Sequence, residues 1–301
     1  MAGGADKFFG RVYELTLGNQ TFRASTNPNA DALDIKFKVE RCPEARTQKA
    51  SVSILGMSME NMMKFLKLAT MEQGKALKEN LKVMLMAGYD KTGLACIVDG
   101  VAATASITQP PEIWLNITVL EGSYQDEDIL YHFKDDNNPV NLMELCKLVC
   151  GKYGYAFNDK SNGKANGVTV SSYGTGRPMT LKEALDELSN DADWNLTADA
   201  HTKQVFAYPK SDHEPPDNDE ITMDAENGLI RVGGISVNAC EITAFLQPNP
   251  SGQGKFSKLR LKSEFNSHAN GVWLFNGITQ IGHYRGQEWY TIFKCKQPKR
   301  G

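Results

Sequence analysis

Between Arg11 and Leu120 apolar and polar residues alternate with a period of two, and that period constrains the fold more than any other feature. Ile35, Phe37 and Val39 alternate with Lys36, Lys38 and Glu40, and Ala50, Val52 and Ile54 repeat the pattern. Successive side chains of a strand point to opposite faces, so each run buries one face and wets the other. Val12–Leu17 and Phe22–Ser25 flank Gly18-Asn19, a residue pair of the kind that closes a tight hairpin. Leu81, Val83 and Leu85 open a further series, broken at Ala87-Gly88-Tyr89-Asp90. It continues through Leu94–Asp99, Val101–Thr108 and Ile113–Val119, with Pro110-Pro111 marking an edge or corner. The period changes once: Ser58 is placed to cap a helix whose stripe is Met59, Met62, Met63, Leu66 and Ala69. Six or seven antiparallel strands with one helix predict a small closed or nearly closed barrel.

From Ser123 to Tyr208 the texture is mixed. Asn138-Pro139 reads as the start of a helix with the stripe Leu142, Leu145, Cys146 and Val149, and Asn158–Gly167 reads as an exposed loop. Thr180 and Glu183 have capping-box spacing before Leu181, Ala184, Leu185 and Leu188. Trp194–Leu196 and Gln204–Tyr208 then form a hairpin around Asp199 and His201. Ser211–Glu220 is acidic and Pro-containing, as a solvated linker is. Beyond it lies a second strand-rich region: the Gly228-Leu229-Ile230 turn, Gly233-Gly234, a strand ending at Leu246-Gln247-Pro248, and Leu259 with Leu261. Val272–Phe275 and Ile278–Ile281 read as two strands about Asn276-Gly277, and Trp289, Thr291 and Phe293 alternate in the last. No short-period repeat is visible, although the two strand-rich regions match in size and strand density.

A net charge of −3 gives no basic surplus for phosphate binding, which argues against nucleic-acid recognition as the main task. The six cysteines are scattered; Cys146 and Cys150, the one close pair, have i,i+4 spacing rather than that of a metal knuckle. They read as reduced, packing cysteines. The N-terminal stretch lacks a basic region followed by an apolar core, and no apolar run approaches the ~18 residues that span a membrane. Folding in a reducing cytoplasm and no membrane insertion are expected.

No catalytic, cofactor or metal site is expected. Asp126, Glu127, Asp128, Asp135 and Asp136 lack the alternating ligands and closing glutamate of a calcium loop, and read as a solvated charge run. His268, His283 and Glu288 lack HExxH spacing, and Gly174-Thr175-Gly176 precedes a helix without a phosphate-loop lysine. No GxSxG occurs. The sequons at Asn116 and Asn195 are chance matches without a secretory signal.

Taken in order, FFGRVYELTLG, LDIKFKVER, KASVSILGMS, LKVMLMAGYD and ACIVDGVAATASITQPPEIWLNITVLEG resemble the first barrel of hub proteins from contractile phage-tail baseplates, the T4-like central hub family. AENGLIRVGGISVNACEITAFLQP, LRLKSEF and GVWLFNGITQIGHYRGQEWYTIFKC resemble its last barrel. Two departures stand out: Arg231–Gly234 replaces a common proline and threonine, and the "F.G.I" strand reads Val98-Asp99-Gly100-Val101. The resemblance implies a mainly β fold, with two tail-tube-like antiparallel β-barrels (residues 1–121 and 221–301) flanking a small α+β domain (122–210) and a linker (211–220). It further implies a non-enzymatic homotrimeric ring in the virion baseplate, assembled in the host cytoplasm. That ring would join a hexameric tail tube, or its initiator protein, to a trimeric central spike, touch other baseplate proteins and leave a channel through which DNA passes. A mildly negative chain is compatible with a lumen that repels DNA. Two alternatives carry different signatures: a cell-wall hydrolase needs a carboxylate pair in a cleft, and a carbohydrate-binding module needs exposed indoles among Trp114, Trp194, Trp273 and Trp289.

Overall fold

The computed structural model describes residues 5–24, 32–41, 48–69, 80–121, 129–130, 133–134, 139–161, 163–164, 167–170, 172–173, 178–179, 181–199, 203–209, 220–236, 238–247 and 257–297. The chain divides into two compact units: Met1–Glu121 with Glu220–Ser251 and Lys258–Pro298, and Gly122–Asp219 with two short segments. The first unit is therefore built from segments on both sides of the second in sequence.

That unit begins with β1 (Arg11–Leu17), β2 (Gln20–Ala24), β3 (Asp34–Arg41), β4 (Gln48–Leu55), α1 (Met59–Ala69), β5 (Lys82–Tyr89), β6 (Gly93–Ile107) and β7 (Trp114–Glu121). The second unit holds β8 (Ile129–Leu130), β9 (Phe133–Lys134), β10 (Val140–Asn141), α2 (Leu142–Lys152), β11 (Ala156–Asp159), β12 (Thr169–Val170), β13 (Ser172–Tyr173), β14 (Pro178–Met179), α3 (Leu181–Ala192), β15 (Trp194–Asp199) and β16 (Gln204–Pro209). The chain then returns to the first unit with β17 (Ile221–Met223), β18 (Leu229–Gly233), β19 (Ala239–Phe245), β20 (Ser257–Leu261), β21 (Gly271–His283) and β22 (Trp289–Lys296).

The fold is mainly β. One 13-stranded sheet runs β18-β19-β22-β21-β3-β4-β7-β6-β5-β1-β2, with β20 pairing both β21 and β17. Among the described residues the ladder is open, with no pairing between its end strands β18 and β2. The period-two residues do what alternation requires: Ile35, Val39, Val52, Ile54 and Val119 are fully buried. They belong to a core with Tyr13, Leu15, Leu85 and Trp289, while Met223, Val232, Ile242, Leu259 and Phe293 build another.

The order of strands repeats. Along the sheet β18-β19-β22-β21 is followed by β3-β4-β7-β6. The buried faces keep the same phase: Val39 lies opposite Ala50, which lies opposite Val119, and Val232 lies opposite Ile242, which lies opposite Phe293. The flanking strands correspond as well, β5 beside the first half of β6 and β20 beside β21.

Several expectations are corrected. Asn276-Gly277 is no hairpin turn: β21 runs continuously through it, with a register shift between Phe275 and Gly277 that accommodates one extra residue. Likewise the two strands expected over Leu94–Asp99 and Val101–Thr108 are one, Gly93–Ile107. β17 pairs with β20 in parallel, where antiparallel strands alone were expected. On α1 the buried stripe is Met62, Phe65 and Ala69, while Met59 and Met63 are 50% and 43% exposed. The helix is rotated so that Phe65, which packs edge-on against Phe22, enters the core.

In the second unit α2 and α3 cover a three-stranded sheet, β11-β16-β15, in which β11 and β16 are parallel. Asn141 caps α2, accepting the Met143 amide at 2.9 Å, so the helix starts after Pro139 rather than with it. Asn158 belongs to β11, not to a loop. The stripe of α2 and the hairpin strands β15 and β16 match expectation. Asn138, Thr180, His201, both acidic clusters, Gly174–Gly176 and residues 211–219 lie outside the described residues.

The reassigned helix gives a direct check by urea denaturation. Phe65→Ala should cost about 3–5 kcal/mol, as truncation of a buried aromatic does. Met63→Ala, on the exposed face, should stay within about 0.5 kcal/mol of the parent.

Candidate functional site

The two ends of the chain meet where β21 pairs antiparallel with β3, from Ile278 opposite Arg41 to His283 opposite Lys36. Gly282 sits opposite Phe37, and a Cβ there would lie 2.2 Å from the ring, so only glycine permits the approach. Around this seam the quoted motif residues converge. The hydroxyl of Tyr89, from Ala87-Gly88-Tyr89-Asp90, accepts the Leu246 amide at 2.9 Å and donates to the Trp289 carbonyl at 3.3 Å. Burial pushes the Tyr89 phenol well above its usual value, keeping it a neutral donor. Gly88 lets the backbone close up, since a Cβ would stand 2.0 Å from the Gly93 carbonyl oxygen.

Charged groups complete the seam. Arg41 donates to Gln280 Oε1 at 2.7 Å and to the Ile97 carbonyl, and pairs with Glu121 at 3.1 Å, so one guanidinium joins β3, β6, β7 and β21. The Asp99 amide donates to the same Glu121 oxygen at 3.1 Å. Arg11 donates to the carbonyls of His283 and Gln287 at 2.9 and 3.1 Å, its guanidinium 5.5 Å from the Trp289 ring centre.

The histidines are placed structurally. His283 Nε2 lies 2.9 Å from Asp34 Oδ2, and Asp34 Oδ1 accepts the Arg285 amide at 3.1 Å. Glu288 offers its backbone carbonyl to the His283 amide, and His268 sits in a short 3₁₀ turn, Ser267–Ala269. Among the described residues no group of three or more His, Cys, Asp or Glu side chains converges on a metal position.

Cys146 and Cys150 are buried on α2, as expected. Spacing in the sequence did not reveal a second pair: Cys240 on β19 is directly opposite Cys295 on β22. A hydrogen bond from one thiol to the other and burial hold the Cys295 thiol in its protonated form. Burial also pushes Cys96 and Cys150 up to about 12. All four tryptophans are buried, between 2% and 8% exposed, so none presents a free stacking face.

A junction built from the first and last strand regions, with the second unit inserted in sequence between them, is an architecture that can be compared with known proteins. The family described as Baseplate hub gp41 matches residues 16–295. The chain belongs to that family. No curated protein sequence matches it. Its fold is similar to the tail protein from Neisseria meningitidis MC58, with a TM-score of 0.56 at 8% identity, covering 96% of this chain and 97% of the other. It is also similar to the 43 kDa tail protein of prophage MuSo2 from Shewanella oneidensis, with a TM-score of 0.55 at 9% identity and coverage of 94% and 98%. A chain of the Francisella PdpA-VgrG complex gives 0.51 at 7% identity, covering 97% of this chain and 60% of that one. No helix among the described residues is long and apolar enough to cross a membrane.

Two outcomes follow for this hub protein. Tyr89→Phe removes the bonds to the Leu246 amide and the Trp289 carbonyl, leaving that amide its 3.2 Å bond to the same carbonyl, and should cost about 0.5–1.5 kcal/mol in urea denaturation. Cys96, Cys146, Cys150 and Cys295, each raised by burial or by a thiol hydrogen bond, should resist alkylation at pH 8 in the folded protein, because the thiolate is the reactive species. Mass spectrometry should find Cys96, Cys146, Cys150 and Cys295 modified only as the chain unfolds.

Proposed function

We propose that the protein is a structural baseplate hub that assembles as a homotrimeric ring, joins the hexameric tube of a contractile tail to a trimeric central spike, and leaves a channel for DNA. In this reading residues 1–121 and 221–301 are two tube-like domains, 122–210 an inserted domain facing other baseplate proteins, and 211–220 the linker. The observation that carries it is the repeated strand order, β3-β4-β7-β6 and β18-β19-β22-β21, with matching burial phase. Two such repeats per chain give six around a threefold axis, which reconciles a sixfold partner on one side with a threefold partner on the other. Its role is positional and involves no chemistry. The ring is assembled in the host cytoplasm and resides in the virion tail.

The sheet face opposite the cores is the one suited to line the channel. It carries Lys36, Lys38, Lys49, Arg231 and Lys294 beside Glu40 and Glu241. Lys38 pairs with Glu40 at 2.6 Å and Arg231 with Glu241 at 3.7 Å. This surface is mixed with a basic excess, so the net negative charge of the chain is not a guide to the lumen. Sedimentation should give the mass of three chains, and electron micrographs should resolve a threefold ring with a central hole. A monomer at every concentration tested would end this reading.

A further inference from the structure

Two thiols face each other across the second repeat. Cys240, the second residue of β19, is paired directly with Cys295, the last but one of β22. The Leu246 amide donates to the Trp289 carbonyl at 3.2 Å, and the Gln297 amide to the Asn238 carbonyl at 3.0 Å. Those bonds, at the two ends of an unbroken ladder, mark every second pair between them as hydrogen-bonded, Cys240 and Cys295 included. Such a pair has Cα atoms about 5.5 Å apart, inside the roughly 4.4–6.8 Å that a disulfide bridges. Both side chains lie in the core, buried with Ile242, Phe275 and Phe293. The other described cysteines are placed differently: Cys96 stands opposite Met86, and Cys146 and Cys150 share a helix.

The two thiols are not equivalent. Cys295 lies on an inner strand, with Cys240 opposite on one side and Phe275 on the other. Its thiol is the donor, toward the Cys240 sulfur and toward the Phe293 carbonyl at 3.8 Å. β18 ends at Gly233, opposite Glu241, one residue short of Cys240. Receiving the Cys295 hydrogen bond draws the Cys240 thiol below its usual value, because a bond donated to the thiolate favours that form. A thiol that ionises beside one that keeps its proton is the arrangement of an attacking and a resolving cysteine.

We propose that Cys240 and Cys295 are a peroxide-responsive pair that closes into a reversible disulfide and ties β19 to β22. The Cys240 thiolate attacks one oxygen of hydrogen peroxide; the O–O bond breaks, hydroxide leaves, and the sulfur is oxidised to a sulfenic acid. The Cys295 sulfur then attacks the sulfenic sulfur. The S–S bond forms, the S–O bond breaks, and the Cys295 proton leaves with that oxygen as water. With the proton from Cys240 taken up by the hydroxide, two thiols and one peroxide give one disulfide and two waters. Thiol–disulfide exchange with a small dithiol returns both thiols. The bond pins the start of β19 and the end of β22, and closes a loop that holds β20 and β21. It requires neither a ring nor a partner. In the virion reading above, the pair stays reduced during assembly in the cytoplasm and closes once the particle has left it; that timing alone rests on the hub assignment.

The test uses the purified full chain, treated with hydrogen peroxide, blocked with a maleimide and digested without reduction. Mass spectrometry should find the Cys240 and Cys295 peptides joined with the loss of two hydrogens, and separate again after dithiothreitol. Cys96, Cys146 and Cys150 should remain free thiols. Dimedone, which traps sulfenic acids, should label Cys240 in Cys295→Ser about tenfold more than Cys295 in Cys240→Ser. The absence of a joined peptide, at peroxide concentrations that leave the circular dichroism unchanged, overturns the proposal, and so does equal trapping at the two positions. Should either serine variant fail to fold, the joined peptide of the parent chain decides alone. Chains that form this disulfide yet never trimerise overturn the ring reading and leave the pair standing.

Discussion

The pairing of β3 with β21 is the contact on which the rest of the first unit depends. A strand leaves a row of backbone donors and acceptors that must find partners. β3 and β21 satisfy each other's rows across most of the chain's length. The side-chain contacts around them serve that one alignment: Gly282 allows Phe37 to approach, Tyr89 fixes Leu246 and Trp289, and Arg41 ties four strands together. Without the seam, the N-terminal and C-terminal strands would be two small open sheets, each with an unpaired edge beside its core.

Much of this fold was legible in the sequence because alternation is a local signal. Ile35, Phe37 and Val39 announced β3, and Trp289, Thr291 and Phe293 announced β22, since burial on one face requires that pattern. What was not legible depends on residues distant in sequence. Asn276-Gly277 has the composition of a tight turn, yet β3 and β22 on either side hold the backbone extended, and the extra residue becomes a bulge. The methionines of α1 gave a plausible stripe, but the core selects Phe65 instead, a larger apolar group on a neighbouring face. Cys240 and Cys295 are opposed only because β19 and β22 pair.

The seam site had no chemical signature to read. Tyr89, Gly88 and Gly282 are ordinary residues in apolar surroundings, and their importance lies in distances to Leu246, Gly93 and Phe37. A motif-level resemblance to hub proteins pointed to these stretches without explaining them. The explanation is steric in the glycines and a matter of hydrogen-bond satisfaction in the tyrosine. It also accounts for the departure at Val98-Asp99-Gly100-Val101: the Asp99 amide and Gly100, whose added Cβ would lie 2.3 Å from the Leu120 carbonyl oxygen, are fixed by backbone geometry rather than by side-chain identity.

The long reach of the seam also sets a timetable. Arg41 and its partner Gln280 are 239 residues apart. At about 5–20 residues per second a ribosome takes roughly 12–50 s to travel that distance. Throughout that interval β3 is a bare edge on a nascent chain, next to every other copy being made. Its outward residues are Lys36, Lys38 and Glu40, charges of the kind that deter strand-to-strand association. The alternation that first revealed the strand thus also guards it until its own partner emerges.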